Sequence, residues 1–209
     1  GNALIKQIHA LSSTKDDIQE LLKLLKAQKE QLSKSKEQIN SILSAAISPS
    51  HHTAAYVYLL ALLNGGAEGG KKHSNESEVL DKRNVDRVKH LIDEADPMQV
   101  PLVTKQFSYL CELFANSKVQ DAPMSGIRPL ARAIEILNIA QKDSATTGLY
   151  ARGLLLCLKS KNYKASQMFM RNADIFHLDQ VTFKSTRASD VLSYCYYAGM
   201  IEIGQKNYR

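Results

Sequence analysis

The 209-residue sequence is short of cysteine and of long apolar runs, and each shortage removes a class of protein from consideration. The three cysteines, Cys111, Cys157 and Cys195, are odd in number and widely spaced, so they give neither a disulfide framework nor a pair of metal ligands. Each lies in an apolar helical stretch, which predicts reduced core thiols in a cytosolic or nuclear protein. The longest apolar run, residues 54–63, is too short to cross a bilayer, and no signal-peptide pattern is present.

Patterns that carry catalysis or bind metal are also scarce. The adjacent His51 and His52 would point to different faces of a helix and have no third ligand four residues on, so no zinc site is predicted. No HExxH sequence and no Cys–His family signature is present. Residues 65–71 match the start of a phosphate-binding P-loop, but Lys72 stands where that motif requires Ser or Thr for magnesium. We therefore expect no catalytic residue, no metal and no cofactor.

Signals for β-strands are weak, because no alternating run of branched residues lies between hairpin turns. Apolar residues make up 44% of the chain, which is enough for a core. They recur mostly at positions i, i+3 and i+4, as they do in amphipathic helices. The sequence therefore predicts an all-α fold.

The C-terminal half repeats one kind of helical hairpin. Helices are predicted over residues 127–140, 147–158 and 188–203, and polar corners follow the last two. Both corners read Lys-Asn-Tyr and then a basic residue, and their tyrosines, Tyr163 and Tyr208, are 45 positions apart. Periods of this length are typical of tetratricopeptide-like or HEAT-like solenoids. We predict a right-handed solenoid of antiparallel helix pairs, which would offer a concave surface to another protein rather than a closed catalytic pocket.

The boundaries of these repeats give more detailed expectations. A loop over residues 116–123 should precede the first helix, and Tyr163 should begin a further helix. Tyr208 would begin another that is cut off at Arg209, so we expect a piece of a longer protein whose open end allows two chains to associate. The inward-facing residues expected in the helix over 127–140 are Ile127, Leu130, Ala131, Ile134, Leu137 and Ile139.

The region before the repeats is predicted to be helical as well. Residues 1–64 should form an N-terminal bundle or first repeats, with Thr14 as the N-cap of a helix that runs to about Leu32. Residues 51–63 are apolar on nearly all sides, as expected for a helix buried within a stack. Residues 65–79 are rich in glycine and predict a flexible loop, after which the repeats should occupy residues 80–209.

The surplus positive charge lies in the repeat region. Residues 1–64 carry a net charge of +2, residues 65–96 of −2 and residues 97–209 of +6. The bases of the last segment are scattered, with no run of five. A solvated surface explains this pattern most simply; an acidic protein partner is the first alternative, and nucleic acid is the least favoured one.

Lys159, Lys161 and Lys164 lie at one repeat corner and are candidate contacts for an acidic partner. Tyr194 and Tyr197 are candidate contacts on a tyrosine-rich helix. The simpler interpretation of the tyrosine cluster is helix–helix packing, with a close approach of the neighbouring helix at the small residues 198–199. The alternative is a peptide-binding groove in which the tyrosine hydroxyls are donors.

Three stretches carry a more specific signal. They read Ile-Arg-Pro-Leu at residues 127–130, Leu-Leu-Leu-Cys-Leu-Lys-Ser-Lys-Asn-Tyr-Lys at 154–164, and Ser-Tyr-Cys-Tyr-Tyr-Ala-Gly-Met-Ile at 193–201. Together they resemble the family of COP9 signalosome subunit 3, in which the third stretch is a tyrosine-rich run followed by Gly-Gly-Met-Ile. Ala198 replaces the first of those glycines. The resemblance covers about residues 103–209.

The resemblance implies a non-catalytic scaffold with an N-terminal helical-repeat arm and a C-terminal PCI domain, of which the PCI portion is missing here. In that family's complex, a different, zinc-bearing subunit removes the ubiquitin-like modifier from cullins. The implied partners are the other signalosome subunits and, indirectly, the cullin-RING ligases, in the cytoplasm and nucleus and without a membrane. Two alternatives stay open. One is a scaffold subunit of another PCI complex, the proteasome lid or a translation initiation factor; the other is an RNA-binding helical repeat.

Overall fold

The chain is helical in the part that its computed structural model describes, residues 2–11, 14–45, 47–66, 79–140, 147–170 and 187–206. No strand occurs in these ranges, and the all-α class and the helical-repeat fold are confirmed. Two 3-10 helices, Val100–Leu102 and Tyr163–Ser166, accompany the α-helices. In chain order the α-helices are α1 (Asn2–Ala10), α2 (Lys15–Ala27), α3 (Lys29–Lys34), α4 (Lys36–Ala45), α5 (Thr53–Leu63), α6 (Lys82–Glu94), α7 (Thr104–Asp121), α8 (Pro123–Ala140), α9 (Thr147–Lys159), α10 (Gln167–Met170) and α11 (Ala188–Gly204).

Helix α2 begins where the sequence predicts. The Thr14 hydroxyl accepts a hydrogen bond from the Asp17 backbone N–H at 3.2 Å, and the Asp17 carboxylate accepts one from the Thr14 N–H at 3.1 Å. This reciprocal pair is a capping box, which satisfies two backbone donors at once. The helix ends earlier than predicted, since Gln28 separates α2 from α3. Nothing in the local sequence explains that break.

Helix α5 is the centre of the N-terminal half. Ten consecutive residues, from Thr53 to Leu62, are buried. The helix packs against α2, α4, α6 and α7. A helix that is apolar on all sides needs neighbours on all sides, so its burial agrees with the sequence-based prediction.

The predicted loop at residues 116–123 is wrong, because α7 continues through Asp121 and only Ala122 separates it from α8. Asn116 and Ser117 look like loop residues in the sequence, yet both are buried in the helix. The Ser117 hydroxyl donates to the Leu113 carbonyl at 2.9 Å and accepts from the Leu80 N–H at 2.8 Å. A polar side chain with such partners does not need a loop.

Two apolar residues differ from the expected pattern. Ile139 is 69% exposed, whereas Ile136 is fully buried in its place. Ile139 lies five residues after the buried Ile134, which puts it roughly 140° around the helix axis. Cys195 is exposed, whereas Cys111 and Cys157 are buried, so only two of the three cysteines are core thiols.

The C-terminal half is a stack in which α8 packs on α7, α9 on both α7 and α8, and α11 on α9. Helix α9 approaches Phe169 closely at Gly153, where a Cβ atom would lie 2.4 Å from the ring of that fully buried residue. The close approach predicted at residues 198–199 is absent at Gly199, since no atom lies within 4 Å of a Cβ built there in the described part of the chain.

Most of the predicted loop at residues 65–79 lies outside the described residues, as does Tyr208. The described Gly65 has a φ of +83° and closes the end of α5. No helix within the described ranges is long and apolar enough to cross a membrane.

Candidate functional site

The corner after α9 has a defined backbone structure. The Asn162 N–H donates to the Cys157 carbonyl at 2.9 Å, and the Lys161 N–H donates to the Leu158 carbonyl at 3.1 Å. These two bonds form a Schellman motif, which turns the chain through a residue in the left-handed region. That residue is Lys161, with a φ of 55°. The corner is therefore a fixed turn that presents its side chains outward.

The structure brings Lys159, Lys161 and Lys164 together at this corner. All three side chains are exposed. Among the described residues, none of the three ammonium groups has a carboxylate within ion-pair distance. These positions suit contact with an acidic partner, and that role stays a prediction.

The corner after α11 repeats the same geometry. Lys206 has a φ of 60°, and its N–H donates to the Ile203 carbonyl at 3.0 Å. The lysine of the recurring Lys-Asn-Tyr sequence thus occupies the left-handed position both times.

Tyr194 and Tyr197 lie in different environments on α11. Tyr194 is 7% exposed, and burial raises the pKa of its phenol. Its position fits the helix-packing interpretation of the tyrosine cluster. Tyr197 is half-buried and faces a cleft between α7, α9 and α11, so it is the one of the two that a partner reaches more easily.

This cleft has a volume of about 390 Å³ and a polar lining. Arg152, Arg187 and Asp190 line it together with Asn116, which is 5% exposed. Arg152 donates a hydrogen bond to the Asn116 side-chain oxygen, while the Asn116 Nδ2 atom has no partner within the described ranges. Donors and acceptors of this kind can bind the backbone and polar side chains of a polypeptide.

Burial governs the ionisation of the two acids near the cleft. It raises the pKa of Asp190, against the smaller opposing effects of Arg187 and Arg152. Burial also raises the pKa of Glu112, and the same two arginines act against it. Burial thus destabilises the anionic form of both carboxylates relative to that of free ones. Such pKa shifts are common in buried polar clusters as well as in functional sites.

The described residues offer neither a cluster of metal ligands nor a reactive buried thiol. No group of three or more His, Cys, Asp or Glu side chains is placed to hold a metal ion in the described ranges. The buried thiols are poor nucleophiles, because burial raises the pKa of Cys157 to about 12 and also raises that of Cys111.

The outer face of α11 is an exposed apolar surface that was not predicted from the sequence. Leu192, Tyr196, Met200 and Ile203 are 70%, 64%, 43% and 63% exposed. They are spaced by four, four and three residues and therefore form one stripe along the helix. The signal in the sequence was that α11 is apolar on all sides, which predicts neighbours on both faces. Large exposed apolar patches of this kind mark interaction surfaces.

These observations define the class of the molecule: it is a helical-repeat protein with exposed polar corners and an exposed apolar helix face. Comparison with protein families then gives the particular family. Residues 15–209 match the N-terminal helical repeats of COP9 signalosome complex subunit 3, and the chain belongs to that family. The match confirms the resemblance and extends it towards the N-terminus. Searches of curated proteins and of solved structures found no match.

Proposed function

We propose that this chain is a non-catalytic scaffold arm that holds neighbouring subunits of the signalosome, and through them serves the removal of the ubiquitin-like modifier from cullins. The observation that carries this proposal is the family match over residues 15–209. A cytoplasmic and nuclear location and a C-terminal PCI domain belong to the same proposal.

The geometry of the described residues supports a role in protein binding. The α11 stripe offers apolar surface, the cleft offers hydrogen-bonding groups, and the corner lysines offer positive charge. Apolar surface contributes most to affinity in such interfaces, whereas exposed charges act mainly on association rate and on specificity. The repeats themselves supply the rigid framework that holds these surfaces in place.

The test is affinity purification of the tagged protein from its own cells, with partners identified by mass spectrometry. We expect to recover the other signalosome subunits together with cullin deneddylation activity. Recovery of proteasome-lid or initiation-factor subunits would replace the complex and keep the fold. Recovery of RNA alone would overturn the scaffold proposal.

A matched pair of double variants tests the corner lysines. Lys159→Glu with Lys164→Glu reverses charge at the corner, and Lys23→Glu with Lys26→Glu reverses the same charge on the exposed face of α2. We expect only the corner variant to lower recovery of a neighbouring subunit, and more strongly at low salt than at high salt, because salt screens exposed charges. Equal recovery from both variants would remove the corner from the interface.

A further inference from the structure

A buried arginine on α6 has no acidic partner among the described residues. Arg87 is 9% exposed. Its guanidinium donates to the Asn40 side-chain oxygen at 2.6 Å, to the Asn40 carbonyl at 3.3 Å, to the Ser44 hydroxyl at 2.7 Å and to the Asn84 side-chain oxygen at 3.3 Å. All of these acceptors are neutral. Buried charges are normally paired with a charge of opposite sign.

A second guanidinium lies beside that of Arg87 and shares one of its hydrogen-bond acceptors. Arg83, one helical turn before Arg87, donates to the Ser44 hydroxyl at 2.9 Å. Within the described ranges, neither guanidinium has a carboxylate at ion-pair distance. Two like charges that share one neutral acceptor repel each other, and this repulsion adds to the burial that lowers the pKa of Arg87.

The one acid among the effects on the pKa of Arg87 is Asp81, which already has a hydrogen-bond partner. Asp81 favours the charged form of Arg87 less than burial and Arg83 disfavour it, and its carboxylate caps α6 by accepting from the Asn84 N–H at 2.7 Å. Glu94 lies 3.7 Å from His90, further along the helix. The local charge around Ser44 is therefore positive.

An open cleft of about 590 Å³ lies directly beside Arg87. Its lining includes Ser44, Ser48, Tyr56, Arg87 and His90, and no acidic residue lines it in the part of the chain that the structure describes. The space is large enough for an acidic side chain and part of its backbone.

Two hydroxyl groups at the cleft are available as donors. Tyr56 is only 2% exposed, and its hydroxyl makes no hydrogen bond within the described part of the chain. The Ser44 oxygen accepts from both arginines, so its own hydrogen points away from them and remains free to donate. Donors of this kind around a fixed positive charge are the chemistry that recognises an oxyanion.

We propose that this cleft binds the carboxylate of an Asp or Glu side chain on a partner protein. Arg83, Ser44 and Tyr56 donate to the carboxylate, and Arg87 supplies the fixed charge, held in place by Asn40 and Asn84. This inference rests on the proposed scaffold function, since it gives the chemistry of a partner. It places a contact on the N-terminal half, across α4, α5 and α6, well apart along the chain from the corner lysines.

The experiment measures binding of a fluorescein-labelled hexaglutamate peptide to the purified chain by fluorescence anisotropy in chloride buffer. Hexalysine and inorganic phosphate are the comparison probes. We expect saturable binding of hexaglutamate and none of hexalysine. Arg83→Gln should weaken the binding about tenfold, since it removes a charged donor. Tyr56→Phe should weaken it about threefold, because only one neutral donor is lost.

The control is Arg132→Gln, which removes the same charge from an exposed position on α8. The affinity of this variant for hexaglutamate should equal that of the unchanged chain. Thermal unfolding of each variant in chloride checks that the fold is intact. Tyr56→Phe is the variant least able to disturb the fold, since its hydroxyl has no partner to lose within the described residues.

Three outcomes overturn the inference. Equal weakening by Arg132→Gln and Arg83→Gln means that net charge alone attracts the peptide. Binding of phosphate without hexaglutamate means that the cleft takes a free oxyanion and not a partner's side chain. No saturable binding of hexaglutamate means that the cleft has no such ligand. If one of these outcomes occurs and signalosome subunits are still recovered with the tagged protein, only this inference fails and the proposed scaffold function stands. If hexaglutamate binds but those subunits are not recovered, the proposed scaffold function fails and the binding of a carboxylate by the cleft stands.

Discussion

The Gln205 side chain donates a hydrogen bond of 2.8 Å to the backbone carbonyl of Tyr163. The two residues belong to the two repeat corners, so this bond joins one corner to the next. Gly204 strengthens the contact, since a Cβ there would lie 3.3 Å from the Tyr163 ring. The corners therefore stack on each other.

Replacing Gln205 with Ala should loosen this stack. The change removes one part-buried hydrogen bond and leaves the Tyr163 carbonyl to water, so we expect a loss of about 1 kcal/mol in the free energy of unfolding. Urea denaturation followed by circular dichroism measures it. Gln38→Ala, on the exposed side of α4, is the control and should cost nothing.

The lysines at the turns offer a gain in stability. Lys161 and Lys206 both have positive φ, which a residue with a Cβ adopts at some cost and glycine does not. We expect Lys161→Gly and Lys206→Gly each to raise the free energy of unfolding by about 0.5–1 kcal/mol. Lys164→Gly should lower it, because Lys164 lies in a 3-10 helix and its φ is not positive. A melting temperature that falls in all three variants would contradict the argument.

The turns at the repeat corners could be predicted from the sequence. The Lys-Asn-Tyr recurrence predicted a repeated turn, and Lys161 and Lys206 do occupy equivalent backbone positions. This prediction succeeded because a turn depends on a few neighbouring residues. The helix predicted within residues 51–63, apolar on nearly all sides, was equally visible, since its burial follows from composition alone.

The cleft beside Arg87 could not be predicted from the sequence. Arg87 and its acceptor Asn40 are 47 residues apart, and no local pattern marks them as partners. Asn116 and Ser117 look like loop residues in the sequence because their hydrogen-bond partners, Arg152 and Leu80, are also distant in the chain. Long-range polar contacts are a property of the packed stack and can be read only from the fold.

Two glycines on neighbouring helices should respond oppositely to alanine. At Gly153 a Cβ would lie 2.4 Å from the Phe169 ring, so Gly153→Ala must displace a fully buried aromatic side chain. We expect a loss of about 1–3 kcal/mol. Gly199 is inside α11, and no described atom lies within 4 Å of a Cβ built there, so Gly199→Ala should stabilise by about 0.5–1 kcal/mol through helix propensity. Chemical denaturation of both variants provides the measurement.

The thiols should differ in reactivity. Cys195 is exposed, whereas Cys111 and Cys157 are buried and their pKa values are raised by burial. With a disulfide reagent at pH 8 we expect one thiol per folded chain to react quickly and all three to react after unfolding. In Cys195→Ser the fast phase should disappear. A fast phase that survives this substitution would show that a buried thiol is reached without unfolding.

His52 should make the stability of the N-terminal half depend on pH. Its ring is 4.8 Å from that of His9 on α1 and 6.4 Å from that of His51. Burial lowers the pKa of His52, and the neighbouring His9 and His51 lower it further, against a smaller opposite effect of a backbone hydrogen bond at Ser48. The unfolded chain, with an ordinary histidine pKa of about 6.5, therefore binds a proton more readily than the folded chain.

The sign follows from that difference in proton binding. The stability that neutral His52 contributes is present above pH ~6.5 and is lost as the pH falls through the lowered folded pKa. The melting temperature should thus drop between pH 7.5 and 5.5, and by less in His52→Phe, which keeps an aromatic ring against His9 but cannot be protonated. His90→Gln is the control, because His90 is exposed on α6. The raised pKa values of Glu112 and Asp190 act in the opposite direction, since their acids favour the folded state as the pH falls. They are present in every variant, so the difference between His52→Phe and the unchanged chain isolates His52.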